Sequence, residues 1–404
     1  MICNKTNNSK IDFVVMGSEE SCAINDFGYR TLIFANALSR SECVGKVLLI
    51  NCPVSLPKRV VNNFQRKRRV EDMYPIVLKR ALGTVVKVNE ELYMLNLSSI
   101  FPESDNIFSK IDSELHAGNI SRILKDLKFE NFVLWIATPR MVDVASSIPS
   151  KIKIFDAIDD MLAHPQMARF YKRIKKAYDW VENNADLICI AAEGQRRMFR
   201  KSSSLFLMPN GVDSIFLRSG TNEMPIDMKD VPMPIVGYIG VLQDRLDIPL
   251  VEAAASILHD YNFVFVGPVK DYSYFKPLTK YRNVRFLGRK RYAEIPAYIR
   301  SFDVCIIPHK VNEFTDSMDP LKIYEYLACG KPIVSTPVAG TERFKGYIAL
   351  AQGPTGFADA IKQAFLTDTV KSSEARRSLA PQYSWDNIIM DLVKKIELKF
   401  KEKK

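Results

Sequence analysis

The sequence lacks the features that mark secreted, zinc-binding and membrane-spanning proteins. No two of its seven cysteines form a C-x-x-C pair, and its four histidines are scattered without the spacing of metal ligands. We therefore expect reduced, buried cysteines, as in a cytosolic protein, and no zinc site. The N-terminus is polar and predicts no signal peptide. The apolar runs are only as long as strands, so we expect any membrane contact to be peripheral.

What the sequence contains is an excess of positive charge in an ordinary globular composition. The 404 residues are 47% hydrophobic and 25% charged, and the formal net charge is +11. This length favours two or three domains with ample cores. The charge favours an acidic partner, which leaves nucleic acid, an anionic membrane and a phosphorylated substrate open.

Short apolar runs alternate with helical patterns along the chain. They predict strands at 11–16, 46–50, 132–137, 151–155, 187–190, 205–208, 235–239, 263–266, 284–287, 304–307 and 333–336. Alternating strands and helices are typical of parallel sheets, and these strands are too many for one sheet. We therefore predict an α/β protein with two doubly wound, Rossmann-like domains. A polar stretch with prolines at 214–234 suggests domains at 1–215 and 216–383. We expect a C-terminal helix at 384–404 to pack back towards the N-terminal domain.

The segment Asp319–Thr336 carries the most specific pattern in the chain. Asp319 is suited to cap a helix whose first turn contains Pro320, and a β-branched strand follows this helix. The N-terminus of such a helix attracts phosphate. Lys322 and Glu325 are three residues apart and share a face, where they could hold the diphosphate and the ribose of a nucleotide. An ordinary helix with a surface ion pair is the alternative.

Glycines and basic residues also follow predicted strands in the second half of the chain. Those that stand just after a strand are Gly240, Arg245, Gly267, Arg289 and Lys290. Ligands bind at the carboxyl ends of parallel strands, so we expect these residues to line one crevice together with Lys322. Each of them alone also has a structural explanation, and the dinucleotide fingerprint G-x-G-x-x-G is absent.

The order of these motifs is more specific than any one of them. G-Y-I-G, V-G-P, F-L-G-R, I-P-H and P-L-K-I-Y-E-Y-L-A-C-G-K-P-I-V follow one another, and a P-N-G-V-D turn precedes them at 209–213. This set resembles the nucleotide-sugar half of GT-B fold glycosyltransferases. It is most similar to bacterial enzymes that build cell-surface polysaccharides, including teichuronic-acid-type transferases. The resemblance covers about residues 205–345, and the N-terminal half matches only in layout.

The resemblance implies a donor site for a nucleoside-diphosphate sugar, by default UDP-linked, in the second domain. Glu325 would bind the ribose, Lys322 and Arg245 the diphosphate or the sugar, and residues 287–289 the base through their backbone. His309, after the strand at 304–307, would touch the donor phosphates, and the helix that begins at Asp319 would stabilise them.

This sequence departs from the E-x7-E motif of the family at one position. Ser317 stands where the first glutamate is expected, eight residues before Glu325. Asp316, Asp319 and Glu313 are the candidates to replace that glutamate, and the contact with the transferred sugar depends on them.

Carboxylates for the acceptor side follow the predicted strand at 151–155. In Phe155-Asp-Ala-Ile-Asp-Asp160 they would face the crevice, where an inverting transferase needs a base. The segment resembles the Y-x-x-x-D stretch of polyprenyl-linked glucuronosyltransferases, which implies Asp159 as the base and Asp160 as the second candidate. A helix N-cap is the alternative. The spacing D-x-x-D-D also suggests a metal site, but the resemblance implies an enzyme that needs neither a metal nor a cofactor.

A basic segment with interleaved apolar residues extends from Lys58 to Arg80. Such a segment suits an anionic membrane, nucleic acid or a solvated loop. A lipid-linked acceptor favours the membrane, and hence a cytoplasmic protein at the inner face of the cell membrane that binds no nucleic acid. The lysines at 172–176 and 399–404 would add to this surface. We expect Phe27–Arg30 to border the acceptor pocket and His164 to lie on a helix surface.

These observations predict a metal-independent hexosyltransferase that acts in bacterial surface polysaccharide synthesis, with the choice between retaining and inverting chemistry left open. One alternative is a nucleic-acid-binding protein, and another is a catalytically weak partner subunit on the same fold. A sugar-nucleotide epimerase of the GT-B type is disfavoured, because a matching histidine and paired carboxylates are missing.

Overall fold

The chain forms two compact units. A computed structural model describes residues 10–18, 30–55, 70–100, 107–200, 203–218 and 223–402. The first unit consists of Met1–Ala191, Gln195–Met208 and Ile388–Lys404, and the second consists of Ala192–Gly194 and Pro209–Asn387. Each unit is built around one sheet with helices packed on it, so the predicted α/β class with two doubly wound domains is confirmed.

The sheet of the first unit is mostly parallel. Its strands are β1 (Ile11–Ser18), β2 (Val44–Asn51), β3 (Val54–Ser55), β4 (Ile76–Arg80), β5 (Gly83–Lys87), β6 (Leu92–Ser99), β7 (Val133–Ile136), β8 (Ile152–Ala157), β9 (Leu187–Ile190) and β10 (Leu205–Leu207). They lie in the order β10-β9-β8-β7-β1-β2-β6-β5-β4, and β3 pairs with β6. Only β5 runs antiparallel to its neighbours β4 and β6. The helices are α1 (Arg30–Arg40), α2 (Ile107–Asp126), α3 (Val142–Ser146) and α4 (Tyr171–Asn184).

The central strands are apolar on both faces because helices cover both sides of a parallel sheet. Every residue of β7 and β9 is buried. Helices α2, α3 and α4 pack on one face, where Ile120, Val144 and Ile174 belong to the same core cluster. Burial of such side chains stabilises the unit by roughly 1.5–3 kcal/mol each.

The second unit has a six-stranded, parallel sheet. Its strands are β11 (Ile235–Ile239), β12 (Asn262–Val266), β13 (Val284–Gly288), β14 (Val304–Ile307), β15 (Ile333–Ser335) and β16 (Ala349–Leu350), in the order β13-β12-β11-β14-β15-β16. The helices are α5 (Ser214–Leu217), α6 (Ile248–Ile257), α7 (Tyr272–Phe275), α8 (Ile295–Ser301), α9 (Leu321–Ala328), α10 (Pro354–Leu366) and α11 (Val370–Leu379). The last helix, α12 (Trp385–Glu402), belongs to the first unit from Ile388 onwards. The strand order reverses between β11 and β14, which is where a doubly wound sheet opens a crevice for a ligand.

All the predicted strands are present, but the sequence analysis missed five others. Strands β3, β4, β5, β6 and β16 were not predicted. Asn96, Ser98 and Ser99 interrupt the apolar pattern of β6 although they are buried, and β4 is an exposed edge strand. Periodicity therefore gave no signal for either strand.

The expectation of reduced cysteines holds for part of the set. Cys189, Cys305 and Cys329 are buried thiols whose pKa values are raised by burial. Cys43 is disulfide-bonded, so the expectation is wrong at this position. Among the described residues, no helix combines the length and the apolar character needed to span a membrane.

Candidate functional site

The loops that follow β11 and β12 are pressed together at the carboxyl end of the second sheet. Gly240 has a φ of 136° and Gly267 a φ of 147°, which an L side chain rarely adopts. A Cβ atom on Gly267 would lie 2.0 Å from the carbonyl oxygen of Gly240. The backbone N–H of Gly267 donates to Gly288 O at 2.9 Å, so the loop after β13 is also held here. Glycine is therefore required at Gly267 for the close approach of the two loops.

The loop after β11 is also tied to the loop after β14. The backbone N–H of Lys310 donates to Arg245 O at 2.8 Å, and that of Asp247 donates to Pro308 O at 2.8 Å. These bonds place Arg245 beside His309. Two residues that are distant in sequence, and that were predicted for the site separately, are therefore neighbours.

Lys322 lies in the first turn of α9 and is buried. Its Nζ lies 5.0 Å from the centroid of the Tyr238 ring, a cation–π contact. It would also lie 3.5 Å from a Cβ atom on Gly240. Burial, followed by the charge of Arg245, lowers the pKa of Lys322 to about 7. Two cations close together with poor solvation form a site that favours an anion.

Glu325 is buried one turn further along α9. Burial raises its pKa to about 8, and the charge of Lys322 opposes this rise. Both residues are at most 8% exposed, so the surface ion pair considered for this helix is wrong. The carboxyl group can instead bind hydroxyl groups of a ligand, as donor when protonated and as acceptor when ionised.

His309 completes the buried cluster at the end of β14. Its side chain is fully buried, and neither ring nitrogen has a hydrogen-bond partner in the described structure. Burial and the charges of Lys322 and Arg245 hold its pKa well below the usual value, so the ring is neutral. Its centroid lies 6.3 Å from that of Tyr238. A neutral imidazole offers one donor and one acceptor, both unused here.

Asp319 does not cap α9 as expected. The helix begins at Leu321 after Pro320, and no side chain caps it. The Asp319 carboxylate accepts hydrogen bonds from the Tyr324 hydroxyl at 2.8 Å, from the Asn210 backbone and from the Arg343 guanidinium. Its oxygens are thus used within the fold, while the first N–H groups of α9 remain available to an anion.

The position of the missing glutamate holds no carboxylate. Ser317 is buried, and its hydroxyl donates to Phe314 O at 2.7 Å. Asp316 and Glu313 are exposed. With Asp319 engaged inside the fold, these two remain the candidates to replace the glutamate.

Two basic residues of the loop after β13, Arg289 and Lys290, were predicted to line the crevice. Gly288 has a φ of 68°, and Arg289 is exposed beside it. Lys290 forms an ion pair with Asp227 and lies over the Tyr298 ring at 5.4 Å. Its charge is therefore already paired with a carboxylate of the protein.

The aspartates predicted for the first unit differ in their surroundings. Asp160 is buried and accepts hydrogen bonds from the backbone of Leu162 at 3.0 Å and of Ala163 at 3.3 Å. Its carboxylate therefore holds the turn at 161–163, and the helix N-cap that was the alternative is wrong, because the next helix begins at Pro165. Asp159 is half-buried just after β8. Among the described residues, no group of three His, Cys, Asp or Glu side chains is arranged to hold a metal ion.

Sequence reasoning missed a buried ion pair next to these aspartates. Arg30 donates to Asp156 in β8 at 3.0 Å and to Met208 O at 3.1 Å. Burial raises the pKa of Asp156, and Arg30 opposes this rise. Arg30 was expected at the acceptor pocket, but its guanidinium is used within the fold. Residues 27–29 of that prediction lie outside the described residues, as do residues 58–69 of the basic segment. His164 caps the short helix Pro165–Phe170 through its ring, accepting from the Gln166 backbone at 3.2 Å.

Tyr238 is the other residue that the sequence analysis did not select. It is fully buried in β11, and its ring carries Lys322 on one side and meets His309 at its edge. The tyrosine is part of the G-Y-I-G motif, but the sequence of a strand does not show which of its side chains will face a ligand site.

Comparison with known proteins finds a family model that matches part of the chain. Residues 233–366 match the family model of the glycosyl transferases group 1. The curated protein "Putative teichuronic acid biosynthesis glycosyltransferase TuaH" of Bacillus subtilis is 30% identical over 168 residues, which are 40% of this chain and 42% of that protein. The aligned regions span less than half the length of the curated relatives, 42% and 45%.

Solved structures of glycosyltransferases share the fold over nearly the whole chain. Sucrose-phosphate synthase from Thermosynechococcus elongatus has a TM-score of 0.71 at 14% identity. The alignment covers 97% of this chain and 100% of the synthase chain. Anabaena HepE in complex with UDP-glucose has a TM-score of 0.66 at 14% identity and covers 95% of this chain and 99% of its own. At this identity the similarity establishes the GT-B fold alone, and the predicted fold is confirmed.

Proposed function

We propose that the protein is a glycosyltransferase, because residues 233–366 match the family model of the glycosyl transferases group 1 and the chain has the GT-B fold. We propose that it transfers a sugar from a nucleoside-diphosphate sugar to a glycan or lipid-linked acceptor in bacterial surface polysaccharide synthesis. The second domain (216–383) would bind the donor and the first (1–215) the acceptor. The name of the Bacillus subtilis relative, a teichuronic acid biosynthesis glycosyltransferase, supports the role in polysaccharide synthesis. The UDP-glucose bound to Anabaena HepE supports a UDP-linked donor.

The observation that carries this proposal is the buried cation at the uncapped N-terminus of α9. Lys322, Arg245 and the first N–H groups of α9 together favour the diphosphate, and this preference grows in the transition state as charge develops on the leaving group. Glu325, one turn away, is placed to bind ribose hydroxyls. Gly240 and Gly267 let the phosphates approach the backbone.

The acceptor chemistry is assigned to Asp159. If the reaction inverts the sugar, this half-buried carboxylate would take the proton of the acceptor hydroxyl, as a general base. Asp160 is less suited, because its oxygens already bind the backbone of residues 162 and 163. If the reaction retains configuration, the leaving phosphate itself would accept the proton. In neither case does the proposal require a metal or a cofactor.

The proposal places the protein in the cytoplasm, peripheral on the inner face of the membrane. In the described part of the Lys58–Arg80 segment, Ile76 is 51% exposed and Val77 is 44% exposed on the edge strand β4, next to Lys79. Apolar side chains beside cations are typical of a surface that contacts lipid.

The test is a nucleotide-binding screen with a matched control. Thermal shift and calorimetry would compare UDP, GDP, ADP and UDP-sugars on wild type, Lys322→Met and Lys362→Met. We expect one diphosphate to raise the melting temperature, because a ligand that binds only the folded state stabilises it. The Lys322 variant should lose roughly tenfold to a hundredfold in affinity. Lys362 is exposed on α10, so its variant should bind as wild type. A response to nucleic acid and to no nucleotide would favour the binding-protein alternative.

A catalytically weak subunit is a second candidate because of Ser317. No carboxylate occupies the position of the first glutamate, so the contact with the transferred sugar has no obvious source. Release of UDP from a bound donor distinguishes the two candidates. A transferase should release UDP, whereas a weak subunit should bind the donor without turnover. If the transferase inverts the sugar, Asp159→Asn should abolish the release of UDP while nucleotide affinity is kept.

A further inference from the structure

The second unit contains a pocket of about 830 Å³ where the start of α6, helix α7 and the loop after β14 meet. We name it the α6 pocket. Its volume is within the range of small-ligand sites. The polar side chains that line it belong to Asp247, Glu252, Ser273, Tyr274, Lys310 and Asn312. Its lining does not include Gly240, Arg245, His309, Lys322 or Glu325, which we name the donor cluster. The proposed function therefore assigns this pocket no ligand.

Two opposite charges line the α6 pocket without pairing with each other. Lys310 forms no ion pair within the described part of the chain, and its Nζ lies over the Tyr274 ring at 5.1 Å from the centroid. Asp247 caps α6 with Oδ1, which accepts from the Leu250 backbone at 3.1 Å. Its Oδ2 accepts no hydrogen bond from the described residues. An ammonium and a carboxylate oxygen that share a pocket and stay apart leave room for a ligand group between them.

The other polar groups of the pocket are mostly used within the fold. Glu252 forms an ion pair with Lys280, and the Ser273 hydroxyl donates to Asp271 at 2.6 Å. The Asn312 side-chain oxygen accepts from the Thr315 backbone at 3.0 Å, which leaves its amide N–H groups for a ligand. The groups open to a ligand are therefore the Lys310 ammonium, the Asn312 amide and one oxygen of Asp247.

This set of groups selects for a ligand that both donates and accepts hydrogen bonds. An anion would meet the Asp247 carboxylate, and a cation would meet the Lys310 ammonium. A purely apolar ligand would take water away from two unpaired charges, which is costly. A hydroxyl group accepts from an ammonium or an amide and donates to a carboxylate, so neighbouring hydroxyls satisfy both sides of the pocket.

We propose that the α6 pocket binds a sugar unit through neighbouring hydroxyl groups. Lys310 and the Asn312 amide donate to the sugar oxygens, and Asp247 accepts from a sugar hydroxyl. The half-buried Tyr274, together with Ile248, Pro249, Pro277 and Val311, supplies apolar surface for the C–H groups of the ring. An apolar wall with a few polar groups placed on it is typical of small-molecule sites.

One wall of the α6 pocket is the loop that carries Arg245. The Tyr274 hydroxyl donates to Leu246 O at 2.7 Å and to Asp244 O at 3.2 Å, on either side of Arg245. The Lys310 backbone N–H donates to Arg245 O at 2.8 Å. The bound sugar therefore lies next to the donor cluster but on residues of its own. The inference rests on the chemistry of this pocket and not on transferase activity.

Saturation-transfer difference NMR on the full chain tests the inference. The probes are free glucose, galactose and N-acetylglucosamine, and glycine serves as a zwitterion that also bridges opposite charges. The pocket variants are Lys310→Met and Asp247→Asn. Asparagine caps a helix as aspartate does, so the second variant keeps the cap of α6 but puts an amide N–H₂ group in place of the open oxygen. The controls are Lys371→Met, exposed on α11, and Lys322→Met in the donor cluster.

We expect at least one sugar to bind wild type with a Kd of roughly 1–10 mM, as a ligand with a few hydrogen bonds does. Each pocket variant should weaken this binding roughly tenfold or more. Lys371→Met and Lys322→Met should bind the sugar as wild type does. Melting curves show which variants fold, and either pocket variant alone decides the result.

Three outcomes would overturn the inference. The first is no binding of any of the three sugars up to about 50 mM. The second is sugar binding that Lys322→Met removes and the pocket variants keep, because the sugar would then lie in the donor cluster. The third is glycine binding that the pocket variants remove while no sugar binds. UDP binding by the same preparations reports separately on the proposed function, so a protein that binds sugar and no nucleotide would refute that function alone.

Discussion

The lysine and the glutamate of α9 have pKa values shifted in opposite directions. The pKa of Lys322 is lowered to about 7, chiefly by burial, and that of Glu325 is raised to about 8 for the same reason. The unfolded chain binds more protons than the folded chain at Lys322 between about pH 7 and its usual pKa of 10.5, so stability rises with pH across that window. At Glu325 the sign is opposite, and stability falls as pH rises from 4.5 to about 8.

Lys322 should make diphosphate binding depend on pH. The anion needs the ammonium form, so binding above about pH 7 must take up a proton, and affinity should fall as pH rises from 7 to 8.5. The expected loss approaches tenfold per pH unit above the pKa. Calorimetry at pH 8 in two buffers of different ionisation enthalpy should show this proton uptake. Lys322→Met should remove the proton uptake along with most of the affinity. A wild-type affinity that stays constant across this range would contradict the assignment.

We expect Asp319 to stabilise the folded state of the protein. Its carboxylate holds Arg343, Tyr324 and the backbone of Asn210, and its side chain is fully buried. Removing one partner of a buried ion pair leaves the other uncompensated, which costs about 3–5 kcal/mol. Asp319→Ala should lower the free energy of unfolding by that amount in a urea titration. Asp391→Ala, which removes an exposed partner of Lys394, should cost less than about 1 kcal/mol. Equal effects would refute the structural role.

The residue types of the site were readable from the sequence, but their partners were not. Gly240, Arg245, Lys322 and Glu325 follow predicted strands or share a predicted helix face, and strand order then brings them together. The ion pair of Arg30 with Asp156 joins residues 126 positions apart, and no local pattern predicts it. The cap assigned to Asp319 failed for the same reason, because Arg343 and Asn210 compete for the carboxylate with the helix N–H groups.

At the scale of elements, two glycines should respond in opposite ways to alanine substitution. Gly267→Ala should force a Cβ atom against the Gly240 carbonyl and a strained φ, lowering the free energy of unfolding by about 2 kcal/mol or more. Gly118 lies within α2, and a Cβ atom there meets nothing within 4 Å. Gly118→Ala should therefore raise the free energy of unfolding by about 0.5–1 kcal/mol.

Denaturant titrations of both glycine variants provide the check, and nucleotide affinity provides a second one. Gly267→Ala should also weaken nucleotide binding, since it displaces the loops after β11 and β12, whereas Gly118→Ala should leave binding unchanged. If both substitutions changed stability in the same direction, the close approach at Gly267 would not be what requires glycine.

The sequence predicted elements best where both faces of a strand are buried. Strands β9, β11 and β14 begin and end as predicted, because continuous apolar runs mark them. Strand β6 was missed because Asn96, Ser98 and Ser99 are buried polar residues, and Asn51 donates a hydrogen bond to Asn96. Such a strand looks like a loop until its neighbours are known.

At the scale of the whole molecule, the positive charge is divided between two chemical settings. In the second unit Lys322 is buried and desolvated, which makes it selective for an anion that enters the fold. In the first unit the lysines of α4, Lys172, Lys175 and Lys176, are exposed and stay in contact with solvent. The net charge of +11 could not distinguish these settings, because composition carries no information on burial.

Hydrogen exchange measured by mass spectrometry should distinguish the buried anion site of the second unit from the exposed surface of the first unit. A nucleoside diphosphate should slow exchange most in peptides that contain the loops at 240–246 and 308–325, because the ligand binds their backbone and stabilises local structure. Anionic vesicles should instead slow exchange most in peptides that contain β4, which carries the exposed Ile76 and Val77. Phosphatidylcholine vesicles and a nucleoside without phosphate serve as controls and should change neither region. If the diphosphate protected α4 more than the start of α9, the donor site would belong to the first unit and the assignment of Lys322 would fail.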